Sequence, residues 1–187
     1  MDSTSDKALM LKVKNGDLDK LGLLFERYNR RLFGFFYRLT SRRDISEDLV
    51  QSVFERILKY RTSYTANGSF STWIFQIARN QHADYYRRRN KLNEDGQVDW
   101  ETLPDESNLP QFESENDQEE QLLKHAIEKL DPEKRQTLIL SRFEGFKYRE
   151  IADIMDCTES AVKVRIFRAL KELKEIISDL NNEEKYE

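Results

Sequence analysis

Residues Lys147–Lys174 read KYREIADIMDCTESAVKVRIFRALKELK. The spacing of Ile151, Ala152, Ile154 and Met155 predicts a short amphipathic helix. Asp156-Cys157-Thr158 then predicts a tight turn, and a long helix follows from Glu159 with Thr158 as its N-cap. Short helix, turn and longer helix is the pattern of a helix-turn-helix, although any helical bundle contains such pairs. On the second helix Val162, Ile166, Ala169, Leu170, Leu173, Ile176 and Ile177 share one arc, the expected core face. Ser160, Ala161, Val164, Arg168 and Lys171 lie opposite, flanked by Lys163, Arg165 and Phe167. Small residues allow close approach to a major groove, Arg and Lys reach phosphates or guanine edges, and Phe167 can meet a thymine methyl. A solvated basic face accounts for the same periodicity equally well.

Upstream, Asp131-Pro132 sets an N-cap before a proline at the first helical position, so a helix begins there. It runs through Leu138, Ile139, Leu140 and Phe143 until Glu144-Gly145 stops it, and Leu122, Leu123, Ala126, Ile127 and Leu130 precede it. Residues 92–121 hold 11 acids, no Lys or Arg, two of the three prolines and no helical periodicity. That composition predicts a flexible linker. Trp100, Leu103, Leu109 and Phe112 punctuate it as docking points for a partner or for the chain's own domains.

Residues 1–91 carry 18 Lys/Arg against 10 Asp/Glu, a net +8 that the overall −4 conceals. A basic block, an acidic strip and a nearly neutral block suggest two units and a linker. Leu21, Leu24, Phe25, Tyr28, Leu32, Phe35, Phe36 and Leu39 recur at helical spacing. A second helix follows Asp44, with Ile45, Leu49, Val50, Val53, Phe54, Ile57 and Leu58 inward and Asp48, Gln51, Ser52, Glu55, Arg56 and Lys59 outward. The loop RTSYTANGS contains the turn signal Asn67-Gly68. Ser71–Lys91, STWIFQIARNQHADYYRRRNK, is the next helix, with Ile74, Ile77, Ala78, Gln81 and Tyr85 as its buried stripe. Its basic end beside Trp73 and Tyr86 suits single-stranded nucleic acid, where cations track phosphates and rings stack on bases. Trp73 as an interhelical plug beside solvated arginines is the competing reading.

No apolar run approaches the roughly 18 residues of a membrane span, and no signal-peptide core opens the chain. The cytoplasm is the expected compartment. A single Cys157 excludes an intrachain disulfide, and with only His82 and His125 no ordinary structural zinc site is expected.

In this order, DISEDLVQSVFERILKY, FSTWIFQIARNQHADYYRRR, an acidic linker and LDPEKRQTLILSRFEGFKYREIADIMDCTESAVKVRIFRALKELK resemble the extracytoplasmic-function sigma factors of bacteria. The most specific pieces are Asp48-Leu49-Val50-Gln51 with Phe54, Trp73-Ile74 with Ile77-Ala78-Arg79-Asn80 and Asp84, and Tyr148-Arg149-Glu150-Ile151-Ala152. The resemblance implies an all-α protein of two small helical domains: sigma region 2 over 1–91, the acidic linker over 92–121, sigma region 4 over 122–180, and a frayed tail over 181–187. It implies promoter-directed initiation with core RNA polymerase and promoter DNA, an anti-sigma factor as further partner, and no cofactor, metal or catalysis. Asp48, Gln51, Ser52 and Glu55 would bind core polymerase. Asn67, Trp73, Arg79, Asn80, Tyr86, Arg87, Arg88 and Arg89 would take the −10 element. Arg149, Ser160, Lys163, Val164, Arg165, Phe167, Arg168 and Lys171 would take the −35 element.

Three departures leave the promoter sequence open. Asp156 stands where glycine is common, Ser160-Ala161 where Gly-Thr is frequent, and Val164 where serine is common. A stand-alone helix-turn-helix regulator would explain residues 146–178 but leave the Asp48–Gln51 helix and the Trp73–Arg89 block without a role. An enzyme using Asp44, Glu47 and Asp48, or His82 and Asp84, lacks the further groups to complete a site.

Overall fold

The computed structural model describes residues 5–94 and 117–183. They form eight α-helices and one 3-10 turn, with no strand among the described residues. The chain divides into two compact units, the first built on α1 to α4 and the second on α5, α6, α8 and the first part of α7.

The first unit opens with a helix that the sequence reading did not anticipate, α1 (Asp6–Lys14). Ser5 caps it by accepting the Ala8 N–H at 3.3 Å, and Leu9, Met10 and Val13 are buried. Nine residues make too short a pattern to stand out, and packing on α2 stabilises what propensity alone would not. Asp6 fixes that packing, because its carboxylate accepts from Arg27 Nη1 and from the Tyr28 hydroxyl, each at 2.6 Å.

Helices α2 (Asp19–Thr40) and α3 (Arg43–Tyr60) form a hairpin closed by two residues. Ser41 takes a left-handed conformation, φ 53°, and the Thr40 and Ser46 hydroxyls meet at 3.0 Å inside the corner. A 3-10 turn (Arg61–Ser63) and a short loop lead into α4 (Phe70–Glu94). Leu24, Leu32, Phe35 and Phe36 of α2, Val53 and Ile57 of α3, and Ile74, Phe75 and Ala78 of α4 fill the core. Phe75 lay outside the expected stripe, yet α4 packs on α1, α2 and α3 together, so a wider arc is covered. Phe25 is the opposite case. It remains 41% exposed at the rim, its ring edge-on to Phe54 at 4.9 Å.

In the second unit α5 (Asp117–Glu128) starts inside the strip expected to be non-helical. At the other edge α4 continues to Glu94, and α8 continues to Glu183, beyond the expected start of the tail. Residues 95–116, with Trp100, Leu103, Leu109 and Phe112, lie outside the described residues.

Helix α6 (Pro132–Arg142) begins as expected, Asp131 Oδ1 accepting the Glu133 N–H at 3.0 Å. Arg135 donates to the Glu128 and Leu130 carbonyls and closes the end of α5. Phe143 sits just past α6 and is 41% exposed, so it does not extend the core. Gly145 supplies the positive φ of 72° that the break requires. Ala126, Ile127, Leu130, Leu138, Ala169 and Leu173 form one cluster, with Ile176, Ile177 and Leu180 packed on it. Leu170, expected on the core arc, is left 38% exposed at its edge.

Burial first, then the hydrogen bond to Asp6, pushes the Tyr28 phenol above its usual range. The folded state therefore holds that proton more tightly than the unfolded chain does. This contribution is complete below the unfolded pKa and is lost as pH rises above it. We expect the urea midpoint to fall from about pH 9 to about pH 11, and Tyr28→Phe to flatten part of that fall. At neutral pH the same variant should cost about 1–2 kcal/mol. An unchanged alkaline slope in the variant would place the decline elsewhere.

Candidate nucleic-acid interface

The helix-turn-helix is built from α7 (Tyr148–Met155) and α8 (Glu159–Glu183). Glu150 accepts the Lys147 backbone N–H at 2.9 Å, which fixes the start of α7. Asp156 ends it with φ 52° and ψ 53°, the left-handed position that glycine would fill without strain, and the Cys157 N–H returns to the Ala152 carbonyl at 3.0 Å. Thr158 accepts the Ala161 N–H at 3.1 Å and opens α8.

With Val162, Ile166 and Ala169 buried, the opposite face of α8 turns outward. Ser160, Lys163, Val164, Phe167, Arg168 and Lys171 are exposed on it, and so is Arg149 of α7. Phe167 is 71% exposed. The cations differ in their commitments. Lys163 pairs with Glu159 at 3.1 Å and Lys171 with Glu175 at 3.7 Å, both one turn apart on the helix. Arg165 is half-buried, paired with Glu133 at 2.7 Å and donating to Cys157 Sγ at 3.4 Å, so it braces α8 against α6 and the turn. Arg149 and Arg168 have no ion-pair partner among the described residues.

In the first unit, Asp48, Gln51 and Glu55 are exposed on α3 and Ser52 is half-buried. Leu49, Val50, Val53 and Ile57 behind them are buried, which fixes the ridge in place. Asp48 and Glu55 have no ion-pair partner among the described residues. The neighbouring carboxylates are occupied. Asp44 accepts two hydrogen bonds from Arg42, at 3.1 and 2.7 Å, and that pairing holds its carboxyl below the usual range. Glu47 pairs with Arg43 at 2.9 Å. His82 is buried with its ring 4.7 Å from Tyr86, whereas Asp84 faces Arg87 at 3.4 Å and Arg56 at 4.0 Å. Among the described residues no group of three His, Cys, Asp or Glu could hold a metal ion.

The loop before α4 presents Asn67 between two left-handed residues, Ala66 (φ 58°) and Gly68 (φ 79°). Ser69 Oγ accepts the Thr72 N–H at 3.3 Å where α4 begins. Trp73 is half-buried, its ring 4.8 Å from Tyr64 and 5.8 Å from Phe70, so plug and exposed edge are both part of its placement. Tyr86 is likewise half-buried, between His82 and Tyr85. Arg79 and Arg89 are half-buried, and Asn80, Arg87 and Arg88 are exposed. Arg88 donates to the Asp84 carbonyl at 3.2 Å.

Tyr64 and Lys14 are the residues that sequence reasoning missed. Tyr64 is buried under the loop, and its carbonyl accepts from Lys14 Nζ at 2.7 Å. The tyrosine hydroxyl is buried with no hydrogen-bond partner among the described residues. Only the aromatic spacing Tyr64–Phe70–Trp73 hinted at this cluster, and nothing local could pair residues fifty positions apart.

The family profile of Sigma-70 region 2 matches residues 24–92, and that of Sigma-70, region 4 matches residues 120–173. The ECF RNA polymerase sigma-E factor of Haemophilus influenzae is 30% identical over 184 residues, covering 94% of this chain and 97% of the relative. The RNA polymerase sigma factor CarQ of Myxococcus xanthus is 27% identical, covering 93% and 98%. Among solved structures, the sigma factor RpoE in complex with the anti-sigma factor NepR from Bartonella quintana matches with a TM-score of 0.71 at 25% identity, over 84% of this chain and 96% of that one. CnrH in complex with the cytosolic domain of CnrY also gives 0.71, at 21% identity over 93% and 97%, a likeness of fold alone. Two helical units in this order, the second with a helix-turn-helix, define a transcription initiation factor of the sigma-70 type. The chain belongs to the extracytoplasmic-function sigma factors, which act in transcription initiation with RNA polymerase and are not an enzyme family. No described helix is long and apolar enough to cross a membrane.

Replacing Tyr64 by Phe keeps the ring packing and removes a buried, unpartnered hydroxyl. The variant should gain about 1 kcal/mol, read as a higher urea midpoint. A loss of similar size would mean that the hydroxyl has a partner in solution.

Proposed function

We propose that the chain gives core RNA polymerase its promoter specificity by reading a −10 and a −35 element. The observation that carries this is the outward face of α8, where residues 160–171 include no acid and Phe167 and Arg168 stand exposed beyond a buried stripe. Such a face fits a major groove, the arginine reaching a guanine edge and the ring a thymine methyl. Arg149, Ser160, Lys163, Val164 and Lys171 extend the same surface. Arg165 acts on it indirectly, as a brace.

The loop around Asn67, with Trp73, Arg79, Asn80, Tyr86 and Arg87–Arg89, takes the unpaired strand of the −10 element. Support comes from half-exposed rings beside cations, the pairing that suits single strands. Core polymerase docks on the α3 ridge of Asp48, Gln51, Ser52 and Glu55. An anti-sigma factor is the further partner, by likeness to the Bartonella quintana complex. The chain works in the cytoplasm, where polymerase is.

The test is transcription in vitro with core polymerase and a genomic DNA pool, with the RNA 5′ ends sequenced. Start sites should share two spaced upstream motifs; starts without any shared motif would refute the reading. With Asp48→Lys and Glu55→Lys together, like charges meet a basic partner surface, and competition for core enzyme should weaken by roughly tenfold or more. Undiminished competition would remove α3 from that interface. Arg168→Ala should cost about 1–3 kcal/mol and relax preference at one base position. Equal loss on every promoter variant would instead make Arg168 a phosphate contact.

A further inference from the structure

We infer that Lys14 is a positioning residue for the −10 loop, so that α1 belongs to the promoter-opening apparatus; this rests on the function proposed above. Residues 64–69 hold Asn67 outward, flanked by two left-handed residues. Tyr64 is the fixed point where the loop departs, its ring buried against Trp73 and Phe70. Its backbone carbonyl accepts from the Lys14 ammonium at 2.7 Å, from the last residue of α1. A charged donor makes this stronger than an ordinary backbone bond.

Lys14 can hold the carbonyl in place because α1 is itself held. Asp6 receives Arg27 and Tyr28 of α2, and Leu9, Met10 and Val13 sit in the core. A continuous line therefore runs from α2 through Asp6 and α1 to Lys14, the Tyr64 carbonyl and the Asn67 turn. The same tyrosine packs edge to ring against Trp73. Release of Lys14 loosens both elements assigned to the unpaired strand, while the α3 ridge keeps its own buried support. The region 2 match begins at residue 24, so it assigns nothing to α1.

Full-length Lys14→Met keeps the aliphatic stem and removes the donor, and Lys14→Arg restores a cationic donor. Holoenzymes made with parent and variant chains are compared on the strongest promoter found by start-site mapping, by permanganate reactivity of unpaired thymines and by competition for core polymerase. We expect Lys14→Met to reduce opening by about tenfold, with competition unchanged, and Lys14→Arg to recover most of the loss. Parent-like opening by Lys14→Met overturns the inference and leaves the proposed function intact. Competition falling in parallel with opening also overturns it, since Lys14 would then only hold the unit together. A parent chain that opens no promoter removes the proposed function and this inference with it.

Discussion

Phe35 and Phe75 meet edge to face, ring centroids 5.4 Å apart, and neither has any solvent exposure. This contact joins α2 to α4 at the centre of the first unit, and the surfaces of that unit are arranged around it. Behind α3, Val53 and Ile57 bury on the same core, so the Asp48–Glu55 ridge has only one orientation available. On α4, burial of Phe75 and Ala78 leaves Arg79 and Asn80 at the boundary with solvent. A core of this size cannot tolerate a cavity in the middle, because each lost ring would cost about 3–5 kcal/mol against a total stability of only about 5–15 kcal/mol.

The second unit solves a different problem with fewer apolar residues. Its helices are joined by backbone stops, and each stop has a nameable residue: Asp131 before α6, Gly145 after it, and Asp156 and Thr158 on either side of the turn. Polar braces supplement the small cluster. Lys134 pairs with Glu172 at 2.5 Å between α6 and α8, and Arg165 with Glu133 at 2.7 Å. The outward face of α8 is thus displayed by caps and braces as much as by burial.

What was legible in the sequence was local. The α3 pattern, the Asp131-Pro132 start and the α7–turn–α8 unit are all specified within a few residues of themselves, and the structure places them as expected. What was not legible depends on distant partners. α1 is stabilised by packing, Phe75 is buried because α4 meets three neighbours, and Tyr64 is tied to a lysine fifty positions away. For the candidate interfaces, sequence placed Asp48, Glu55, Phe167 and Arg168 on outward faces, where they are exposed, but also Ser52 and Arg165, which are half-buried. It did not distinguish Arg165, held by Glu133 and Cys157, from Arg168, which is not, since periodicity counts charges without their commitments.

Those commitments bear on how the protein would respond to ionic conditions. Lys163 and Lys171 each have a carboxylate one turn away on α8. Approach to a phosphate must displace that carboxylate or carry it into a field of the same sign. The gain per lysine is then an exchange of partners, not the addition of one, and fewer condensed ions leave the DNA than a tally of cations would suggest. Duplex affinity should therefore decline less steeply with added salt than the number of lysines and arginines on that helix implies. Such a helix would keep its hold on DNA across a wider range of cellular ion concentrations.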